Sequence, residues 1–349
     1  MRTARPPRIL VASLTLAAAL VASLTLAAAL VASIAAAVTF RPADIRFDEV
    51  SASIGSHLDL GVTPLSPLRD GIVWELRLPW VLMAAAVGAG LAISGAVMQA
   101  ITRNPLADPH LLGLSSGASL GAVAVLVLGV SVLLPAAAFL GALVALAATL
   151  LIAGSGSALT PSRMILAGIA VSSLGAALTS FVIFWTATGD SYREIISWLL
   201  GSLAGARWPA IAIAVAAVVV IGIPLMVGGR VLDAFAFGYT SAAALGVSVA
   251  RTRWVMLVGT ALLTGGMVSV TGSIGFVGLI LPHAVRLIVG AQHRALLPLA
   301  ALSGAIFLIW CDTAARALFD PRELPVGIVT AVIGAPVFVL LLMRSRRLA

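Results

Sequence analysis

The stretch LPWVLMAAAVGAGLAISGAVM, residues 78–98, decides the fold class of this chain. It is apolar from end to end, shows no polar–apolar alternation, and lies between Arg77 and Arg103. A helix needs about 20 apolar residues to cross the hydrocarbon core of a bilayer, whereas a strand of a membrane barrel alternates over about ten. The stretch therefore predicts a transmembrane α-helix.

Nine more apolar stretches occur along the chain, separated by hydrophilic connections. The chain is 61% hydrophobic and only 10% charged, whereas a soluble domain carries roughly 25% charged residues. A chain of 349 residues cannot hide this much apolar surface from water, so lipid must be its solvent. We predict an all-α, polytopic membrane protein with a single transmembrane domain over residues 1–349. The ten predicted spans are 9–39, 78–98, 112–132, 135–154, 163–186, 209–228, 254–271, 276–290, 298–317 and 325–343.

The placement of the arginines predicts how the chain is oriented. With the N-terminus in the cytoplasm, thirteen of the 21 basic residues, all of them arginine, fall on the cytoplasmic side. Of the acidic residues, only Asp108 and Asp233 fall there. Cytoplasmic connections are enriched in basic residues, so both termini are predicted to be cytoplasmic. The net charge of +8 then reflects topology, and we expect no nucleic-acid partner.

The N-terminal helix predicted over residues 1–40 is longer than a bilayer requires. The decapeptide LVASLTLAAA occurs at 10–19 and again at 20–29, within a 32-residue apolar run. Such a helix measures about 48 Å, against about 30 Å for the hydrocarbon core. We interpret the repeat as a tandem duplication that the helix accommodates by tilting or protruding. A cleaved signal peptide, whose apolar part is shorter, and a start site further downstream are the alternatives.

Two features of the composition limit the chemistry of the chain. It has no lysine, and a P-loop needs one to reach the nucleotide phosphates, so any ATP-driven work must be done by a partner. It has one cysteine, Cys311, and four scattered histidines, so we expect no metal or cofactor on this chain. A membrane enzyme would need a cluster of acid, base or metal-binding residues. An ion-coupled secondary transporter would carry charges near the midplane, where few are found.

Two pairs of ionisable residues lie within predicted spans. His283 and Arg286 are three residues apart in GSIGFVGLILPHAVRLIVG, residues 272–290. Asp312 and Arg316 are four residues apart near the outer end of the ninth span, a spacing that allows an ion pair. Ionisable residues inside a membrane are functional candidates, but a purely structural role is the alternative for both pairs.

Two cytoplasmic connections carry patterns of their own. In RNPLADPHLLGLSSGAS, residues 103–119, two prolines interrupt the helix, and glycines spaced four residues apart favour close packing of helices. The connection 229–253 is the longest, and its small residues predict one or two short amphipathic helices. It is either a docking element or a plain connector, and its length favours docking.

Five stretches, taken in their order along the chain, resemble the FecCD family of ABC-importer permeases. That family includes permeases for ferric siderophores, haem and vitamin B12. The stretches are LRLPWVLMAAAVGAGLAISGAVMQAITRNPLADPHLLGLSSGAS (76–119), SRMILAGIAVSS (162–173), FGYTSAAALGV (237–247), GSIGFVGLILPHAVRL (272–287) and ELPVGIVTAVIGAPVFVLLL (323–342).

The resemblance implies a permease subunit in a bacterial cytoplasmic (inner) membrane that moves an iron chelate inward without covalent chemistry. A ferric siderophore is the expected cargo, haem the next, and vitamin B12 the alternative. The implied partners are a cytoplasmic ATPase dimer that binds ATP and Mg²⁺, an extracytoplasmic substrate-binding protein, a second permease copy, identical or paralogous, and membrane lipid.

The resemblance also implies two parts of a cytoplasmic gate. The first is the turn Asn104, Pro105 and Leu106. The second is Pro161 with Ser162, where Pro161 replaces the threonine of the vitamin B12 permease.

In the connection 229–253 the resemblance implies contacts with the ATPase. The matching residues are Gly238, Leu245 and Gly246. Tyr239 stands where the family usually has a glutamate, so the polar contact of that position is left open.

At the outer surface the resemblance implies arginines that pair with carboxylates of the binding protein. Arg77 and Arg316 match two of them, and Trp80 stands in the place of a third.

Overall fold

The computed structural model describes residues 8–40, 45–155, 160–186, 189–236, 238–318 and 323–345, and within these ranges the chain is helical without strands. The helices are α1 (Arg8–Thr39), α2 (Phe47–His57), α3 (Pro67–Thr102), α4 (Leu114–Val127), α5 (Leu134–Gly154), α6 (Pro161–Thr186), α7 (Gly189–Leu199), α8 (Trp208–Val227), α9 (Gly229–Ala236), α10 (Tyr239–Ala244), α11 (Val249–Thr271), α12 (Val277–Val289), α13 (His293–Ala317) and α14 (Val326–Ser345).

Ten of these helices occupy the ten predicted spans. Seven are long and apolar enough to cross a membrane, namely α1, α3, α5, α6, α8, α11 and α13. The other three, α4, α12 and α14, are shorter apolar helices. The all-α, polytopic fold is therefore confirmed, while the cytoplasmic location of both termini stays a prediction.

Helix α3 lies at the centre of the fold and packs against α11, α12 and α13. Glycines allow the closest approaches, since a Cβ atom at Gly88 would lie 2.2 Å from the Gly304 carbonyl oxygen. At Gly95 it would lie 1.8 Å from the Gly278 carbonyl oxygen. Without a hydrophobic driving force between helices in lipid, such backbone contact gains the van der Waals attraction that holds them together.

The glycine pattern of residues 113–121 has the predicted effect. Helices α4 and α5 cross so closely that a Cβ atom at Gly117 would lie 2.2 Å from the Gly141 carbonyl oxygen. A Cβ atom at Gly121 would lie equally close to the Ala137 carbonyl oxygen. These glycines are therefore packing residues.

The hydrophilic connection 41–77 contains more structure than its composition predicts. Helix α2 packs on the first turns of α3, where the His57 ring stacks on Trp74 with the ring centroids 3.9 Å apart. The Ser53 hydroxyl donates to Asp70 Oδ1 at 2.6 Å, and Glu49 pairs with Arg69. The helix of the second span thus begins at Pro67, eleven residues before its predicted start.

Candidate functional site

The connection 229–253 folds into α9 and α10, followed by the start of α11, which agrees with the predicted short helices. Helix α9 buries Leu232 and Phe235 completely. Asp233 holds its other side, because the carboxylate accepts hydrogen bonds from His293 N at 2.7 Å and His293 Nδ1 at 2.8 Å. The first turn of α13 therefore supports α9.

Helix α10 has one buried side and one exposed side. Ala242 is fully buried, whereas Leu245, directly after the helix, is 70% exposed. Gly238 and Gly246 bound the helix with φ angles of +98° and +83°, which side chains other than glycine rarely adopt. The other exposed residues are small or polar: Thr240, Ser241, Ala243 and Ala244. The three residues matched to ATPase coupling thus lie around one short helix with a free surface.

Tyr239, the first residue of α10, points into the protein. Its hydroxyl donates to the carbonyl oxygen of Ile101 at 2.9 Å. Its ring packs edge-to-face with Phe235, with the centroids 5.7 Å apart. The guanidinium carbons of Arg103 and Arg253 lie 5.9 and 6.0 Å from the ring centroid. The sequence did not predict a polar partner for position 239. In the structure this partner is the Ile101 carbonyl of the same chain.

The turn Asn104–Leu106 follows the end of α3 directly. Arg103 ends the helix in the left-handed conformation, with φ +51°. The Asn104 backbone N–H donates to the Gln99 carbonyl at 3.1 Å, and Asn104 Oδ1 accepts from the Leu106 N–H at 2.9 Å. Pro105 and Leu106 are exposed. The predicted break is confirmed, and the residues of the predicted gate form a tight, hydrogen-bonded turn.

The second predicted gate position lies at the start of α6. Ser162 is exposed there, and the side chain of Pro161 lies outside the described part of the chain. Two residues further on, Met164 Sδ accepts a hydrogen bond from Arg253 Nη2 at 3.6 Å. Within the described residues no hydrogen bond joins Ser162 to Asn104–Leu106.

The predicted ion pair between Asp312 and Arg316 is present. Arg316 Nε and Nη2 donate to the two oxygens of the Asp312 carboxylate at 2.8 and 3.0 Å. Arg316 Nη1 lies 3.5 Å from Glu323 Oε2, and the guanidinium covers the Trp80 ring at 3.7 Å from its centroid. The arginine matched to binding-protein docking is therefore already paired within the chain.

The expected exposure of Arg77 is wrong. Its side chain is only 5% exposed, and its Nη1 donates to the carbonyl oxygen of Val38 at 2.8 Å. The reason is that α3 begins at Pro67, so Arg77 lies within the helix and faces α1. The docking role of Arg77 stays a prediction, but this side chain is not presented to a partner.

His283 and Arg286 lie on α12 and are partly buried. Within the described residues neither side chain makes a hydrogen bond or an ion pair, and no group of three His, Cys, Asp or Glu side chains could hold a metal ion. The structure therefore brings no reactive cluster together around them.

The comparisons with known proteins identify the family. The sequence model of the FecCD transport family matches residues 25–344. The curated relatives include the cobalamin import system permease BtuC of Halobacterium salinarum, 44% identical over 82% of this chain and 79% of that protein. They also include the uncharacterized ABC transporter permease YvrB of Bacillus subtilis, 42% identical over 80% and 81% of the two chains. The vitamin B12 import system permease BtuC of Vibrio cholerae is 40% identical over 80% and 85%.

Solved structures agree with this assignment. One is a transporter assigned to the metal-chelate ABC type, in an inward-facing conformation. It superposes on this chain with a TM-score of 0.81 and is 32% identical, and the match covers 92% of this chain and 98% of the other. PsaBC of Streptococcus pneumoniae, at 18% identity and a TM-score of 0.55, shares the fold. The chain is a membrane protein that belongs to the FecCD transport family, and it is an ABC importer permease.

Proposed function

We propose that the chain moves a metal chelate into the cell and that ATP hydrolysis on a partner subunit drives this movement. The observation that carries the proposal is the free surface of α10, where Leu245 is 70% exposed beside small residues. An exposed apolar side chain on a small surface suits insertion into a pocket of a partner. Because the chain has no lysine for a P-loop, that partner must supply the ATPase.

A second permease copy would complete the path for the cargo. The support is α6, whose apolar segment is only 22% buried within one chain. In the middle turns of this helix two exposed stripes adjoin each other, one of small residues and one of large apolar residues. The small stripe comprises Ser173, Ala176, Ala177 and Ser180, and the large stripe Leu174, Leu178, Phe181 and Trp185. Small side chains leave room for a bulky chelate, whereas large ones suit lipid or a second helix surface.

Cobalamin is the first candidate cargo. Two relatives that are 40–44% identical over about four fifths of the chain are named as cobalamin or vitamin B12 permeases. A ferric siderophore is the second candidate, because a related structure at 32% identity belongs to a transporter assigned to the metal-chelate type. Haem, which the family also carries, is the third. All three are large metal chelates, which agrees with the small stripe of α6.

Uptake in a strain that lacks its own chelate permeases tests the proposal. The strain would express the chain with its ATPase and binding protein and receive labelled cyanocobalamin, ferric siderophore or haem in turn. We expect cyanocobalamin uptake that stops when the P-loop lysine of the ATPase is replaced. If only another chelate is taken up, cobalamin is rejected as the cargo. Uptake that persists without a working ATPase would instead support an ion-coupled transporter and reject ATP-driven import.

A further inference from the structure

We propose that Tyr239 is a positioning residue that transmits movement of α10 to both predicted gate positions, an inference that rests on the proposed function. The resemblance implies a glutamate at this position, so it implies no role for a tyrosine there. The geometry points to the role, since one side chain links α10 to the ends of α3 and α6.

The first link is the hydrogen bond from the Tyr239 hydroxyl to the Ile101 carbonyl. Ile101 lies in the last turn of α3, where carbonyl groups have no partner within the helix. Within the described residues no backbone N–H donates to this oxygen. Three residues later comes Asn104, so the bond holds α10 to the helix end from which the predicted gate turn begins.

The second link passes through the aromatic ring. Arg103 and Arg253 lie at about 6 Å from its centroid, a distance at which a guanidinium is attracted to a tyrosine face. Arg253 also donates to Met164 Sδ, two residues after Ser162. The ring is therefore connected through Arg103 to the first predicted gate position and through Arg253 to the second.

Tyr239 is held in place by α9, so it can pass a movement of α10 on to the rest of the protein. Phe235 meets the ring edge-on from α9, and α9 is held against α13 through Asp233. At the other end of α10, Leu245 is exposed to a partner. A push on that free end is therefore transferred at Tyr239, which makes polar contacts between α10 and the rest of the protein.

The Tyr239→Phe variant tests this role, since it removes the hydroxyl and keeps the ring. Tyr192→Phe is the matched control, because Tyr192 is the other tyrosine of the chain and is 52% exposed on α7. The complete transporter in proteoliposomes, supplied with binding protein and cyanocobalamin, gives ATP hydrolysis and uptake in one assay. We expect Tyr239→Phe to raise the ATP consumed per cargo molecule by at least about fivefold, while Tyr192→Phe leaves this ratio unchanged.

A second measurement follows the gate turn itself. In a Cys311→Ala background, Leu106→Cys reports with a thiol reagent whether ATP changes its accessibility. We expect that ATP changes the labelling rate and that Tyr239→Phe abolishes this change. An unaltered coupling ratio and labelling change would overturn the inference. So would a Tyr239→Phe complex that no longer assembles, because Tyr239 would then be an anchor. If the unsubstituted complex shows no ATP-dependent uptake of any of the three chelates, the proposed function fails by itself.

Discussion

Arg316 lies between two carboxylates and an aromatic ring, and this environment limits what it can offer to a binding protein. Asp312 takes two of its N–H groups from a buried position, while Glu323 is 47% exposed at 3.5 Å. The guanidinium of Arg316 lies against the ring of Trp80. At position 80 the resemblance implies an arginine. A carboxylate of a docking protein that pairs with Arg316 Nη1 would therefore compete with Glu323.

This competition gives a prediction for Glu323→Gln. Removing the competing charge is expected to tighten binding of the substrate-binding protein about two- to fivefold, since exposed ion pairs contribute roughly 0.2–1 kcal/mol. The Kd would be measured on the permease in nanodiscs. Glu75→Gln is the matched control, because Glu75 is exposed and belongs to the first turns of α3. An unchanged or weaker Kd would argue that Arg316 is not the docking residue.

Side-chain contacts within one helix follow from the sequence more directly than contacts between helices. The spacing of Asp312 and Arg316 on one helix predicts their ion pair, because partners four residues apart meet regardless of the rest of the fold. The burial of Arg77 and the bond from Tyr239 to Ile101 depend on contacts over 39 and 138 residues of sequence. Contacts of that range follow from helix packing, which no local pattern specifies.

Among the elements, the apolar helices were the easiest to predict and the polar helix α2 was missed. A span is encoded by about 20 consecutive apolar residues, a signal that needs no tertiary information. Helix α2 contains charged and polar residues on several sides and is held by Arg69, Asp70 and Trp74 of α3. Its sequence alone therefore predicts a hydrophilic connection, because the helix depends on these contacts with α3.

The packing of α4 on α5 gives a prediction for Gly117→Ala. The added methyl group would lie 2.2 Å from the Gly141 carbonyl oxygen and force the helices apart. We expect a loss of about 1–3 kcal/mol in the free energy of unfolding, seen as a lower Tm in detergent. Gly71→Ala is the control, since this helical glycine has no neighbour within 4 Å of the new atom. An equal effect of the two substitutions would contradict the packing role.

The attachment of α2 is expected to weaken in acid. The Arg46 backbone N–H and the Arg69 guanidinium donate to Glu49 and lower the pKa of this carboxyl below its ordinary value of 4.5. A lowered pKa in the folded state stabilises above the unfolded value and is lost as the pH falls through the folded value. The protection of residues 47–57 against hydrogen exchange, taken relative to the intrinsic rate at each pH, should therefore decrease below about pH 4.5. In Glu49→Gln this decrease should be absent, and a decrease that persists would have to come from another group.

The chain as a whole divides the work of import with its partners. Its described residues form the apolar helices that cross the membrane and the free surface of α10, where we propose that the ATPase attaches. The sequence predicted this division from the missing lysine and the long connection 229–253. It did not predict which side of α10 is free, because that depends on the burial of Ala242 and on the contacts of Tyr239 with other helices.

Leu245→Arg tests the attachment. The side chain is 70% exposed, so a charge there should leave the fold and its Tm unchanged. It should weaken binding of the ATPase about tenfold or more, because central apolar contacts dominate interfaces. Co-purification and the stimulated ATPase rate measure the effect. Leu68→Arg, in the first turn of α3 and 77% exposed, is the comparison, and equal effects would show that α10 has no special role.

The long helix α1 has a consequence for how the gene can change. Its polar anchors, Ser33 to Trp310 and the Val38 carbonyl to Arg77, both follow the repeated decapeptide. One repeat unit of ten residues adds about 15 Å to a helix and slightly less than three full turns. A slip of the replication machinery that adds or deletes one unit therefore alters the upstream end alone and leaves the anchors in register. The repeat is a place where alleles of different length can arise without selection against the fold.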